Sequence, residues 1–117
     1  MLPGDDRIRL QHMLDAARKA ARLAAGRSRE ELDAEDDPLA AALAHWICVI
    51  GEAASKVSSG TCSAVDGIPW PDIVGMRNRL IHAYFDINLD ILWATVQDNL
   101  PSLIRFLESA LAEDEGA

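Results

Sequence analysis

The sequence predicts an all-α domain: an antiparallel bundle of four to five helices with no sheet. Three observations predict it. Half of the 117 residues are apolar, yet only six are aromatic, and alanine and leucine outnumber the β-branched residues that favour strands. Apolar positions recur at i, i+3, i+4 and i+7 through long segments, the rhythm of one buried helical face. Glycine, proline and serine fall between those segments rather than inside them. A chain of this length is expected to form a single domain, residues 1–117, with a core that needs no metal or disulfide.

The first helix is expected over about 5–25. Leu10, Met13, Leu14, Ala17, Ala21 and Ala24 share its buried face, Asp5 or Asp6 can cap it, and Gly26 can end it. Ser28 can cap a short acidic helix or turn. Pro38 suits the first turn of a second helix over about 38–59, with Asp37 as its cap and an apolar stripe from Leu39 to Val57. "SSGTCSAVDGIP" reads as a loop. A third helix is expected over about 70–84. "FDINLD" is a short joint in which Asp86 or Asn88 can cap a fourth helix, over about 89–112. Pro101 lies inside that helix and predicts a kink or restart, and the acidic C-terminus is expected to fray.

The formal net charge is −8, which argues mildly against nucleic-acid binding. The charge is segregated, however. Residues 1–29 hold seven of the eleven basic residues and three acids, whereas Glu30 to Asp37 hold six acids in eight positions. A locally basic surface therefore stays open beside the plainer reading of solvated helix faces. Cys48 and Cys62 form no metal-binding or redox motif. No apolar run reaches the roughly 20 residues of a membrane span, and the N-terminus lacks a signal-peptide pattern. The expected compartment is the cytoplasm, without a membrane role.

The densest chemistry lies in "GMRNRLIHAYF", Gly75 to Phe85. On a helix, Ile73, Arg77, Leu80 and Tyr84 share one side, so Arg77 emerges within an apolar stripe. An unpaired guanidinium cannot be buried there without a cost of several kcal/mol. It must meet a carboxylate, reach a cleft or lie at a subunit interface. Glu52, in the apolar phrase "IGEAA", is a candidate partner or an orienting residue of a site. His82 follows Arg77 by five residues, ~140° around and ~7.5 Å along an ideal helix. The two converge if the helix ends near His82, or if two copies of it face each other.

These residue types suit the cleavage of RNA. The 2′-OH must lose a proton, the 5′-oxygen must gain one, and charge on the phosphate must be stabilised. Histidine carries protons near neutral pH, arginine holds phosphate through a fork of donors, and Asn78 and Tyr84 can orient the reacting groups. Spacing alone also fits a structural arginine and a surface histidine. His12 is expected at the surface and His45 in a structural role. Trp46, Trp70 and Trp93 suit packing, with base stacking as the alternative. Arg18 and Arg22, at i and i+4, either guide RNA or form a solvated face.

"IGEAA" together with "IPWPDIVGMRNRLIHAYFDINLDILWATVQDNLP" closely resembles the HepT family of HEPN-domain toxins, over Trp46 to about Leu107. The R-x4-H-x-Y motif of that family falls on Arg77, His82 and Tyr84. The resemblance implies an all-helical, homodimeric HEPN bundle that acts as a metal-independent endoribonuclease toxin with no cofactor, in a type VII-like toxin–antitoxin system. It implies Arg77 and His82 as catalytic residues, with Asn78 and Tyr84 in support; Glu52 stays open as a structural partner of Arg77 or an orienting residue. The implied partner is an MntA-like nucleotidyltransferase antitoxin that transfers AMP to Tyr84. The alternative is a non-catalytic HEPN subunit that docks on a nucleotidyltransferase. Ala83 departs from the glycine common at its position, and the segment before IPW lacks the usual charge.

Overall fold

The computed structural model describes residues 1–83 and 86–116, except for the side chains of His82 and Ala83. Helix α1 spans Gly4–Ala24 and buries Leu10, Met13, Leu14 and Ala17 on one face, as their spacing predicts. Gly26 follows with φ of 74°, a left-handed conformation that glycine adopts without Cβ strain. Neither Asp5 nor Asp6 caps the helix, because Pro3 occupies the cap position. Asp6 is instead buried and accepts hydrogen bonds from the Ser58 N–H, the Ser58 hydroxyl and the Thr61 hydroxyl.

A 3-10 turn over Arg29–Asp33 takes the acidic segment. Arg27 pairs with Glu31 and Asp37, and Arg29 with Asp33 and Asp90. These ion pairs absorb much of the charge that the sequence concentrates here. Helix α2 spans Leu39–Ser55. The expected cap operates, since the Leu39 N–H donates to Asp37 Oδ1 at 3.0 Å. The helix stops four residues short of the expected boundary, and the expected loop contains helix α3, Ser59–Ala64. Ser58 caps α3 through the Thr61 N–H, while Asp6 holds both residues. The carboxylate that organises this turn lies 52 residues from Ser58 in sequence, so local composition does not reveal it.

Helix α4 spans Trp70–Leu80. The indole of Trp70 donates to the Val65 carbonyl at 3.0 Å, so this tryptophan is a packing residue. The expected continuation to Tyr84 is not what the described residues show. Strand β1, Ile81–Ala83, pairs antiparallel with β2, Asp86–Ile87. The helical class holds, and this small ladder is a local addition to it. Ile81 is β-branched and takes extended dihedrals of φ −113° and ψ 105°. The Asn88 N–H then donates to the Leu80 carbonyl at 2.8 Å, which satisfies a helix-end acceptor.

Asn88 caps helix α5, Leu89–Ala94, by accepting from the Ile91 N–H. A π-helical turn over Thr95–Asn99 leads into helix α6, Leu100–Gly116. Pro101 explains the irregularity: it donates no N–H, and its ring would crowd the carbonyl four residues earlier. The wider π turn accommodates it without breaking the helix. The C-terminus does not fray as expected. Arg7 pairs with Asp114 and Glu115, and the Leu2 N–H donates to Asp114.

Helix α1 packs on α2 and α6, and α2 packs on α4, with Leu10, Met13, Leu43, Leu80, Leu92 and Leu107 fully enclosed. Among the described residues, no helix is long and apolar enough to cross a membrane.

The Ser58 and Thr61 hydrogen bonds hold the Asp6 carboxyl below its ordinary value of 3.8. Its stabilising contribution is therefore present above that value and lost as pH falls through the lower folded one. Asp6→Asn should lower the urea midpoint at pH 7, and its deficit against the natural protein should shrink as pH drops below about 4. Urea titrations of both proteins from pH 7 to pH 2 read this directly; a deficit constant across that range would contradict the role.

Candidate functional site

The site begins with a close helix crossing. A Cβ on Gly51 would lie 3.1 Å from the Ile73 carbonyl oxygen and 3.9 Å from that of Val74. A side chain at this position would push the backbone of α4 away from α2 by a few tenths of an ångström. The flanking Ile50, Ala53 and Ala54 are buried, so "IGEAA" is a docking surface for α4. The glycine sets the separation, and Glu52 is exposed.

Arg77 stands in the last full turn of α4. Its spacing from buried Ile73 and Leu80, four and three residues, assigns it to the core-facing row. Its side chain is nevertheless exposed. The core ends before Arg77 is reached, and the guanidinium emerges beside α2. Burial pushes the Cys48 thiol up from its ordinary value, the positive Arg77 pulls it down, and Glu52 pushes it up. The charges of Arg77 and Glu52 thus act in opposite directions on one half-buried thiol. Cys48 and Glu52, at i and i+4, share a face of α2. No ion pair joins Arg77 to Glu52 among the described residues, so the expected direct pairing is absent in this arrangement.

The neighbouring arginine behaves differently. Arg79 Nη2 donates to the Asp72 carbonyl at 3.1 Å and to Met76 Sδ at 3.8 Å. It lies back along its own helix, over a groove of about 540 Å³ lined by Asp72, Met76, Thr95, Asn99 and Phe106, among others. That groove does not include Arg77, Asn78 or Glu52. Asn78 is exposed on α4.

The backbone of His82 lies in β1, beyond the end of α4. The five-residue separation from Arg77 therefore spans a helix end, one of the two arrangements under which the pair can converge. The side chain of His82 and the whole of Tyr84 lie outside the described residues. Of the other candidates, His12 and His45 are exposed and Trp46 is half-buried. Arg18 pairs with Glu108 at 2.8 Å, which takes it out of a guiding pair with Arg22. Sequence reasoning did not place Cys48 at the site or see what Gly51 does. The i, i+4 spacing of Cys48 and Glu52 was the available signal for the first.

With this geometry in place, comparison with known proteins identifies the class. Residues 13–110 match the family model described as "Ribonuclease HepT-like", and the chain belongs to that family. It is similar to "Putative RNase TTE0752" of Caldanaerobacter subterraneus subsp. tengcongensis, 29% identical over 106 residues, covering 91% of this chain and 94% of that protein. It is also similar to "Probable ribonuclease HepT" of Thermococcus cleftensis, 40% identical over 55 residues, covering 47% of this chain and 50% of the relative. A third relative is "Putative RNase MJ1380" of Methanocaldococcus jannaschii, 35% identical over 60 residues, covering 51% and 55%. The aligned part thus spans nearly all of the first relative and about half of the other two. No solved structure gives a significant match.

Two tests follow from the geometry. Gly51→Ala gains about 1 kcal/mol of helix propensity but forces a backbone contact whose relief costs about 1–3 kcal/mol. The melting temperature should fall by several degrees, and a rise would contradict the close crossing. In a Cys62→Ser background, Arg77→Ala should slow iodoacetamide labelling of Cys48 a few-fold and Glu52→Gln should speed it. Equal rates in all three proteins would mean that neither charge acts on the thiol.

Proposed function

We propose that the protein is a metal-independent endoribonuclease toxin, active as a homodimer and silenced by a nucleotidyltransferase antitoxin that adenylylates Tyr84. The observation that carries this reading is the exposed Arg77 at the helix end, which makes no ion pair among the described residues, while Arg79 is tied back and four basic residues of the first 29 are held in ion pairs. A guanidinium left exposed on a core-facing row, five residues before a histidine past the helix end, suits a phosphodiester. Membership of the ribonuclease-named family supports the same chemistry.

In the proposed reaction an imidazole of His82 accepts the 2′-OH proton as the 2′-oxygen bonds to phosphorus. The bond from phosphorus to the 5′-oxygen breaks, and the leaving oxygen takes a proton from an imidazolium. Arg77 stabilises the charge that builds on the non-bridging oxygens. Base and acid are supplied together if two copies each contribute His82. The self-association surface best supported is the outward face of α2 with its α4 flank. Glu52 is the sole charged residue in α2, and Val74 on α4 is 44% exposed. A weakly charged helix face beside an exposed valine suits a two-fold contact. Transfer of AMP from ATP to the Tyr84 hydroxyl, with release of pyrophosphate, would add a bulky anion near Arg77 in sequence and compete with substrate phosphate.

Purified protein should cleave RNA in the presence of EDTA. Arg77→Ala and His82→Ala should each reduce cleavage by about 100-fold or more while keeping the helical circular-dichroism spectrum. Full activity in both variants, or no cleavage by the natural protein, would refute the enzyme reading and leave the docking subunit as the better account.

A further inference from the structure

The basic residues of α1 are not equivalent. Arg7 and Arg18 are held by acids of α6. Lys19 makes no ion pair among the described residues; its ammonium instead sits 4.4 Å over the ring centroid of Trp46 on α2. His45 meets the same indole edge-on, with ring centroids 4.7 Å apart at 70°. Lys19 and His45 are exposed and Trp46 is half-buried. Arg22, also exposed, stands one turn further along α1. A cation, an imidazole and an indole thus converge at the α1–α2 seam, while Arg7, Arg18, Arg27 and Arg29 are held in ion pairs.

We infer that this cluster is a binding subsite for single-stranded RNA, in which Trp46 stacks a base and Lys19 holds the adjoining phosphate. This rests on the ribonuclease reading for its ligand and extends it to a second contact point. An exposed cation–π contact is weaker than the stacking of a base on an indole. An incoming base therefore displaces the Lys19 ammonium from the ring, and the freed ammonium meets phosphate within reach of its stem. Only a splayed base can use the indole, because a duplex keeps its bases stacked on one another.

The test is fluorescence anisotropy with a 5′-fluorescein 12-nucleotide single-stranded RNA and with the same strand annealed to its complement. All proteins carry His82→Ala to prevent cleavage. Lys19→Glu, on an exposed position that does not threaten folding, should weaken single-strand binding about ten-fold or more and reduce its salt dependence. Trp46→Leu should weaken it similarly, while Trp46→Phe, which keeps a ring, should retain most of it. Binding unchanged within two-fold by Lys19→Glu and Trp46→Leu would overturn the subsite, as would equal affinity for the duplex or no RNA binding at all. Cleavage by the natural protein is read separately. Lys19-dependent binding without cleavage leaves the subsite standing and removes the enzyme; cleavage indifferent to Lys19 and Trp46 does the reverse.

Discussion

The contact between Gly51 and the backbone of α4 is the constraint on which the candidate site depends. A carbonyl cannot rotate out of the way as a side chain can, and a Cβ on Gly51 would lie only 3.1 Å from the Ile73 carbonyl oxygen, so the glycine favours this close approach of α4 to α2. That separation decides where the end of α4 falls. It leaves Arg77 exposed and near enough to α2 for its charge to act on the Cys48 thiol.

The second determinant is where α4 stops. A helix continued to Tyr84 would leave Arg77 and His82 on different faces, and the pair could serve one substrate only across two chains. The change to extended backbone at Ile81, locked by Asn88 on the Leu80 carbonyl and by pairing of β1 with β2, removes that restriction. Asn88 closes one element and caps the next. Its side chain accepts from Ile91, so one residue links the end of α4 to the start of α5.

Much of the fold was legible in sequence because its signals are local. The apolar rhythm of α1 and α2, the cap at Asp37 and the cap at Asn88 all act within a few residues. The features that escaped depend on distant partners. Asp6 organises α3 from 52 residues away in sequence, Arg7 holds a C-terminus that composition marks as loose, and Glu108 removes Arg18 from the free cations. Pro101 announced an irregularity without revealing that a π turn would absorb it. In the site, residue types and spacing singled out Arg77, Asn78 and Glu52, and all three are exposed. What they could not reveal is that Arg79, two residues on, is tied to its own helix, or that Arg77 and Glu52 both act on the Cys48 thiol.

The chemistry attributed to Arg77 and His82 requires the substrate's own 2′-oxygen as the nucleophile, and the ends of the RNA fragments record which oxygen attacked. Mass spectrometry of the products should find 2′,3′-cyclic phosphate on one fragment and a 5′-hydroxyl on the other, with a single 2′-deoxy substitution at the cleaved position abolishing the cut. Fragments bearing a 5′-phosphate and a 3′-hydroxyl, or cleavage that survives the deoxy substitution, would show that water attacked and would contradict the account.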